Sequence, residues 1–250
     1  MSTDVRVCAA AVLAFVLGGC STTGANGSPA APTAGPPVIY AAIGASETVG
    51  AGATDPLRDA WPQVFYRTAL PESSVFYNFG IPAATVADAL SRELPEALAT
   101  QPTLSTVWLN VNDLLAGVSP AAYEQGLDEL VRALRRGGQA KVLVANTPYL
   151  DRLPAYLECR SGTPAPGVSC PPGVLPPPSE LDADVDAYNA AIERVVRREG
   201  AVLVDLHAQG EVADLHPDWV SSDGFHPSAA GYAAIAAQFG SVLKATGLQP

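Results

Sequence analysis

The chain has 250 residues, of which 48% are hydrophobic and 16% are charged. This size and composition exclude a disulfide-stapled mini-protein and a disordered chain, and they allow one α/β domain of about 200 residues or two small domains. The 14 Lys and Arg residues against 25 Asp and Glu residues give a net charge of −11. Such a chain offers no basic surface to phosphate backbones, so we expect no nucleic-acid partner.

The first 19 residues have the pattern of an export signal. Arg6 is followed by an apolar run at 7–17 and then by small residues and Cys20. The run is shorter than the roughly 20 residues that span a bilayer, and it resembles a bacterial lipoprotein signal peptide. The resemblance implies removal of 1–19, acylation of Cys20, export, and a lipid anchor on the extracytoplasmic side of the cell membrane. The alternative is a buried first strand with an ordinary core cysteine.

Residues 20–37 have no periodic apolar face and are rich in Ser, Thr, Gly, Ala and Pro, which is the composition of a flexible tether. We therefore expect the folded domain to span 38–250. After removal of the signal peptide and acylation of Cys20, Cys159 and Cys170 remain, and export favours a disulfide between them. The alternative is a pair of metal ligands, but neither a His nor a further Cys lies nearby in the sequence.

From residue 38 onward, short β-branched runs alternate with longer amphipathic stretches. This pattern predicts βαβ units and one doubly wound, mostly parallel sheet of five strands. The predicted strands are 38–43, 75–78, 106–111, 141–145 and 202–206. The predicted helices are 57–69, 83–99, 120–136, 179–199 and 228–245.

Residues 151–178 form an insert between the fourth strand and its helix. The insert contains eight prolines and both remaining cysteines, so it cannot be one regular helix or strand. Because it follows the carboxyl end of a strand, we expect it on the face where α/β sheets bind ligands. We interpret it as a rim or lid of the site.

Two motifs far apart in the chain indicate nucleophile chemistry. Gly44-Ala45-Ser46 follows the first strand, where the glycine permits a sharp turn and the serine begins the next segment. Asp223 precedes His226 by three residues on a turn, so its carboxylate can accept the imidazole Nδ1–H and leave Nε2 free to take a proton from a hydroxyl. Each motif alone also fits a structural role, namely a capping serine and a surface histidine beside a capping aspartate.

Two further stretches end the second and third predicted strands. Asn78-Phe79-Gly80-Ile81 brings a small backbone donor to the carboxyl edge of the sheet. Asn110-Val111-Asn112-Asp113 brings an amide side chain to the same edge. Backbone N–H groups and amide side chains of this kind are the parts of an oxyanion hole.

In order and spacing, these four blocks resemble those of the SGNH hydrolases, the GDSL-type esterase and lipase family. The resemblance implies a three-layer α/β/α sandwich of flavodoxin-like type that needs no metal or organic cofactor. It implies Ser46 as the nucleophile, His226 as general base and then acid, and Asp223 as the residue that orients the imidazole. The oxyanion hole would consist of the Ser46 N–H, the Gly80 N–H and the Asn112 side chain.

Two positions depart from the pattern of that family. The usual Gly-Asp-Ser-Leu motif is present here as Gly44-Ala45-Ser46-Glu47, so the acidic residue before the nucleophile is missing. Asn110 stands where the third block usually begins with glycine. Both departures lie outside the predicted catalytic positions, but the first leaves open how the nucleophile turn is held.

We therefore predict a monomeric serine hydrolase that cleaves acyl esters of lipids or carbohydrates at the cell envelope. The alternatives are a non-catalytic envelope lipoprotein that binds acylated glycans or lipids, and an acyltransferase that uses the same triad. We predict Trp108 to be a core residue, and Trp61 and Trp219 to line a pocket. Four further His and Asp residues lack metalloprotease spacing, so we predict loop-packing or surface roles for them: His207, His216, Asp205 and Asp214.

Overall fold

The computed structural model describes residues 37–168, 170, 175–210 and 212–247. The predicted signal peptide at 1–19, the acylated Cys20 and the tether up to residue 36 lie outside these described residues, so they stay predictions. None of the helices in the described ranges is long and apolar enough to cross a membrane.

A five-stranded parallel sheet forms the centre of the domain, with the strand order β2-β1-β3-β4-β5. This order is that of a flavodoxin-like, doubly wound sheet, which confirms the predicted fold class. The strands are β1 (Ile39–Gly44), β2 (Val75–Asn78), β3 (Leu104–Trp108), β4 (Lys141–Ala145) and β5 (Val202–Val204).

Helices cover both faces of the sheet and carry most of its connections. A π-helical turn at Ala89–Glu93 joins two of them. The helices are α1 (Ser46–Val49), α2 (Pro56–Asp59), α3 (Trp61–Ala69), α4 (Val86–Asp88), α5 (Leu94–Ala99), α6 (Val111–Leu115), α7 (Pro120–Arg135), α8 (Pro154–Ser161), α9 (Pro178–Glu199), α10 (Val212–Leu215) and α11 (Ala229–Ala245).

The hydrophobic core is divided by the sheet into two layers. Side chains alternate along a strand, so Ala41 and Ile43 of β1 enter one layer while Tyr40 and Ala42 enter the other. The first layer is closed by apolar residues of α5, α7 and α9, and the second by those of α3 and α11. Both faces of the sheet are buried along β1, β3 and β4, as a parallel sheet requires, whereas Val75 and Tyr77 of the edge strand β2 are exposed.

The predicted third strand, 106–111, is displaced in the structure. β3 ends at Trp108, and Asn110 precedes α6, which begins at Val111. The apolar run continues beyond the strand because Leu109 and Val111 are buried in core clusters from outside the sheet. Burial alone therefore does not mark the end of this strand.

The predicted first helix, 57–69, consists of two helices. Ala60 separates α2 from α3 with an extended backbone, at φ −59° and ψ 143°. Pro62 lies in the first turn of α3. A proline fits the first turn of a helix because it has no N–H to donate, but it does not fit a helix interior.

The insert contains α8 and the predicted disulfide between Cys159 and Cys170, whose Cα atoms lie 5.5 Å apart. The Ala155 N–H donates to the Gly224 carbonyl oxygen at 3.0 Å. The insert therefore packs against the loop that contains Asp223, beyond the carboxyl ends of the strands.

Candidate active site

Ser46 is the first residue of α1 and follows β1 after a tight turn. At Gly44, a Cβ would collide with the Thr48 side chain and would lie 2.9 Å from the Trp108 carbonyl oxygen. The turn therefore requires glycine at this position. It presents Ser46 at the start of a helix, where its backbone N–H has no acceptor among the described residues.

The structure brings Ser46 together with His226 and Asp223, although Ser46 and His226 are 180 residues apart in the chain. The Nε2 atom of His226 lies 2.9 Å from Ser46 Oγ, and its Nδ1 atom lies 2.7 Å from Asp223 Oδ2. In this geometry a neutral imidazole donates Nδ1–H to the carboxylate and accepts the serine proton at Nε2. The arrangement is competent for nucleophilic attack by a serine.

Asp223 is fixed by several hydrogen bonds besides the one to the imidazole. Its Oδ1 atom accepts from the Ser221 hydroxyl at 2.8 Å and from the backbone N–H groups of Phe225 and His226 at 2.8 and 2.9 Å. Burial raises the pKa of Asp223, but the hydrogen bonds from His226, Phe225 and Ser221 together hold this pKa below its ordinary value. Asp223 is therefore ionised at neutral pH and can stabilise an imidazolium.

The loop that contains Asp223 and His226 is braced from two sides. The Ser221 N–H donates to the His226 carbonyl oxygen at 2.8 Å, which closes the loop on itself. Gly224 has a φ of +75°, and a Cβ there would lie 2.9 Å from the Ala155 backbone nitrogen. Glycine at this position thus allows α8 of the insert to pack directly on the catalytic loop.

Asn112 lies on α6 at the same edge of the sheet. Its Nδ2 atom donates to the Ala84 carbonyl oxygen at 3.0 Å, and because a side-chain amide has two N–H groups, one remains for a ligand. The adjacent Asp113 accepts the Val86 N–H at 3.0 and 3.2 Å, and burial raises the pKa of Asp113 to about 6. These bonds fix Asn112 against the segment that follows β2.

Gly80 does not fit its predicted role as an oxyanion donor. Its N–H donates to Asn78 Oδ1 at 3.0 Å, while Asn78 Nδ2 donates to the Thr48 carbonyl oxygen at 2.8 Å. A Cβ at Gly80 would lie 2.9 Å from Thr48 Cγ2. Gly80 is thus a packing residue between two turns, and its N–H is already satisfied within the protein.

Ala83 offers a free donor that no sequence motif indicates. The predicted helix at 83–99 begins only at Val86, and Ala83 is an exposed loop residue with φ +62°. Its N–H has no acceptor among the described residues, and its neighbour Ala84 accepts from Asn112. The left-handed region costs a non-glycine residue about 1–2 kcal/mol, and such strain is concentrated at active sites.

Glu93 holds the nucleophile turn, although its helical position gave no sign of a role at the site. It lies on the π-helical turn and is 1% exposed, and its Oε2 atom accepts the Gly44 N–H at 2.9 Å. Burial raises the pKa of Glu93 to about 8. The Glu93 carboxyl group thus holds the turn through the Gly44 N–H. In this chain Ala45 stands where the usual motif has an acidic residue.

We expect the Glu93→Gln variant to gain stability relative to the wild type as the pH rises from about 5 to about 8. The folded-state pKa of about 8 lies above the ordinary value of 4.5. The proton on Glu93 thus stabilises the fold below pH 4.5, and this stabilisation is lost as the pH rises through 8. Glutamine keeps the acceptor for the Gly44 N–H without titrating.

Urea denaturation at several pH values measures this difference in the free energy of unfolding. Glu96→Gln is a matched control, because Glu96 is exposed on α5 near Glu93. A difference between Glu93→Gln and the wild type that stays constant from pH 5 to 8 would show that Glu93 does not retain its proton in the fold.

Glu47 places a second carboxyl group beside the nucleophile. It is partly buried, and its Oε2 atom lies 3.4 Å from Ser46 Oγ. Burial raises the pKa of Glu47 above its ordinary value. The Ser46, His226 and Asp223 arrangement does not use this group.

Two cavities lie beside the catalytic loop. The His226 cavity, of about 130 Å³, is lined by Glu47 and His226 together with mainly apolar residues. The insert cavity, of about 540 Å³, is lined by apolar residues of α6, by α8 and by the disulfide. The two cavities share the walls Val111, Leu150, Leu153 and Phe225.

The three tryptophans have different surroundings. Trp108 is 6% exposed in the core and also lines the His226 cavity. Trp219 lines the same cavity, as predicted. Trp61 does not: it is fully buried and stacks on Phe239 with ring centroids 4.2 Å apart. The prediction for Trp61 was wrong because α3 turns this face toward α11.

His207 and His216 each stack on an aromatic ring. The His207 ring lies 4.0 Å from that of Tyr149, and the His216 ring lies 3.9 Å from that of Trp219. Within the part of the chain that the structure describes, no group of three or more His, Cys, Asp or Glu residues is placed to hold a metal ion.

Residues 42–234 match the model of the GDSL-like lipase/acylhydrolase family. A comparison with curated proteins finds no match. Among solved structures, the chain is similar to TesA, with 22% identity over 83% of this chain and 98% of that one and a TM-score of 0.62. It is similar to the lipase/acylhydrolase from Enterococcus faecalis, with 19% identity over 84% and 97% and a TM-score of 0.60. It is also similar to a two-domain esterase, CEX, active on acetylated mannans, with 17% identity over 85% and 50% and a TM-score of 0.60.

Proposed function

Because the chain belongs to the GDSL-like lipase/acylhydrolase family, we propose that it hydrolyses carboxylic esters through an acyl-enzyme intermediate on Ser46. The observation that carries this proposal is the line of hydrogen bonds from Ser46 Oγ to His226 at 2.9 Å and from His226 to Asp223 at 2.7 Å. A hydroxyl is a weak nucleophile until an adjacent base removes its proton.

The reaction proceeds in two steps. In the first, Ser46 Oγ attacks the ester carbonyl carbon while His226 Nε2 takes the serine proton, and the imidazolium then donates that proton to the leaving alcohol. In the second, His226 removes a proton from the water that attacks the acyl carbon. The imidazolium then returns this proton to Ser46 Oγ as the acyl–oxygen bond breaks, which releases the carboxylic acid and restores the serine. The ionised Asp223 stabilises the imidazolium in both steps.

Three donors are available for the oxyanion that forms in each step. The Ser46 N–H and the Ala83 N–H have no acceptor among the described residues, and Asn112 keeps one amide N–H. Donors that are already fixed in place stabilise developing charge without reorganisation. We assign the second backbone donor to Ala83 in place of Gly80, whose N–H is bonded to Asn78.

We expect Asn112→Ala to lower kcat by roughly 10²–10³-fold, because one oxyanion donor contributes about 2.7–4 kcal/mol of transition-state stabilisation. KM should change little, since the interaction is made mainly in the transition state. Steady-state kinetics on a p-nitrophenyl ester measure both constants. A loss of less than about threefold in kcat, with the variant folded, would remove Asn112 from this role.

The acyl part of the substrate is proposed to occupy the insert cavity. Its volume of about 540 Å³ and its mainly apolar walls, with Asp184 as the one charged lining residue among the described residues, suit an acyl chain longer than acetyl. Full-length protein in mild detergent should hydrolyse p-nitrophenyl esters, with rates that rise from acetate toward octanoate. An acetate optimum would instead favour acetylated carbohydrates, on which the similar two-domain esterase acts. If no ester from two to about twelve carbons were hydrolysed, the esterase function would be wrong.

We propose further that the chain is exported and anchored through an acylated Cys20. The disulfide between Cys159 and Cys170 supports export, because disulfides persist in oxidising compartments outside the cytosol. In bacterial cells fed labelled palmitate, the wild type should be labelled and found with membranes, and Cys20→Ser should be unlabelled. Equal labelling of both proteins would contradict the anchor.

A further inference from the structure

We propose that the His226 cavity binds a quaternary ammonium group on the alcohol part of the ester, with Glu47 as its carboxylate partner. This substrate class rests on the proposed ester hydrolysis and specifies the alcohol that leaves in its first step. The bonds that form and break are those of any ester hydrolysis. The bond from the acyl carbon to the alcohol oxygen breaks, and the alcohol leaves with the proton from His226. Water then supplies the second oxygen of the carboxylic acid.

Glu47 is a carboxyl group without a strong partner. Its Oε2 atom lies 3.4 Å from Ser46 Oγ, but the single proton of that hydroxyl is needed by His226 Nε2, 2.9 Å away. Among the described residues of the cavity walls, His226 is the only basic one, and its charge acts to lower the pKa of Glu47. The polar Gln209 and Gln238 are bonded to each other at 2.9 Å. A carboxylate in such surroundings is destabilised unless a cation pairs with it, and a bound ligand can supply that cation.

Nothing in the triad requires an acidic residue at position 47. Leucine stands there in the usual Gly-Asp-Ser-Leu motif, whereas this chain has Glu47 in a cavity with mainly apolar walls. The carboxyl group of Glu47 is therefore available for a role other than proton transfer between Ser46 and His226. Glu47 lines the same cavity as His226, so it can contact a group that the substrate places there.

The walls of the cavity favour a cation that is poorly hydrated. Aromatic faces attract cations, tryptophan most strongly, and this is the established means of binding quaternary ammonium groups. Stacking on His216 holds the Trp219 ring in place. Four aromatic side chains line the His226 cavity: Trp108, Tyr149, Trp219 and Phe225.

The volume of the His226 cavity and its position beside His226 assign the cation to the alcohol part of the ester rather than to its acyl chain. The cavity of about 130 Å³ suits a compact group, whereas the insert cavity of about 540 Å³ suits a chain. The leaving alcohol must lie within hydrogen-bond reach of the His226 Nε2 that protonates it, and His226 lines this smaller cavity. Ala83 and Asn112, which would hold the carbonyl oxygen, do not line it.

The test compares two esters of the same acid and nearly the same shape, butyrylcholine and 3,3-dimethylbutyl butyrate, with the full-length protein at pH 8. We expect the wild type to favour the cationic ester in kcat/KM by at least about tenfold, and Glu47→Gln to bring the ratio close to one. Trp219→Leu should lower the ratio severalfold. Glu72→Gln, which changes an exposed glutamate, is the matched control and should keep the wild-type ratio.

A general effect of Glu47 on His226 would change the rates for both esters equally and leave their ratio unaltered. A wild-type ratio near one, or an unchanged ratio in Glu47→Gln, would overturn the proposal. Competitive inhibition of p-nitrophenyl butyrate hydrolysis gives a second readout that needs no variant: choline should inhibit, and 3,3-dimethylbutan-1-ol should inhibit much less. If p-nitrophenyl butyrate is cleaved and choline inhibits no better than 3,3-dimethylbutan-1-ol, the proposed cation site is wrong and the esterase function stands.

Discussion

Replacing Ser46 with alanine is expected to lower kcat/KM for p-nitrophenyl butyrate by a factor on the order of 10⁴–10⁶. The substitution removes the only nucleophile within hydrogen-bond reach of His226 Nε2, 2.9 Å away, among the described residues. It leaves the fold intact, because Ser46 Oγ bonds otherwise only to Glu47 at 3.4 Å. The remaining rate would come from the oxyanion donors and substrate binding alone.

Ser91→Ala is the matched control for this prediction. Ser91 is exposed, and its hydroxyl donates only to carbonyl oxygens one turn back in its own helix. Initial rates for both variants and circular dichroism spectra to verify folding complete the measurement. If a folded Ser46→Ala protein kept more than about a tenth of the wild-type activity, a serine mechanism at this position would be untenable.

The second large effect is expected for Asp223→Asn, at about 10⁴-fold in kcat. Asparagine can still accept the N–H groups of Phe225 and His226 at its oxygen, so the loop keeps its conformation. Its NH₂ group would then face His226 Nδ1, which must become the acceptor. The proton consequently moves to Nε2, and this tautomer cannot take a proton from Ser46.

Fluorophosphonate labelling rates and steady-state kinetics measure this loss. A thermal unfolding transition like that of the wild type shows that the variant is folded, because a misfolded protein would lose this transition. Asp55→Asn, at an exposed position whose side chain makes no capping bond, is the matched control. A loss of less than about tenfold for Asp223→Asn would mean that Asp223 does not set the tautomer of His226.

Much of this architecture is predictable from local sequence patterns. The β2 and β4 boundaries match the structure because each apolar run is bounded on both sides by turn or polar residues. Ser46 was predicted as the nucleophile because it follows a strand and a glycine turn, and Asp223 and His226 were predicted as its partners because they share one turn before the last helix. The structure shows that these three side chains form one line of hydrogen bonds. From the sequence, this proximity could be inferred only from the order of the motifs along the chain.

Ala83, the proposed second oxyanion donor, and Glu93, which holds the nucleophile turn, were not predictable in this way. A backbone N–H leaves no mark in the sequence, and Ala83 is in a left-handed conformation where glycine would have been the visible signal. Gly80 attracted the assignment instead, although packing against Thr48 explains its small size. Glu93 belongs to a π-helical turn, whose extra residue shifts the helical register that a pattern search assumes.

The sequence also did not show which tryptophans are buried in the core and which line a cavity. Trp61 and Trp219 were predicted alike, but stacking on Phe239 buries Trp61 completely while Trp219 lines the cavity. Their difference depends on which face of α3 meets α11, a tertiary contact between segments far apart in the chain. Composition and spacing do not contain that information.

Mass spectrometry of an acid-quenched reaction with p-nitrophenyl butyrate tests the central claim most directly. The account predicts a butyryl group on the peptide that contains Ser46 during the first turnover, and its absence from Ser46→Ala. Rapid ester hydrolysis with a butyryl group on a different residue would contradict the account. So would hydrolysis that persists in Ser46→Ala at the wild-type rate.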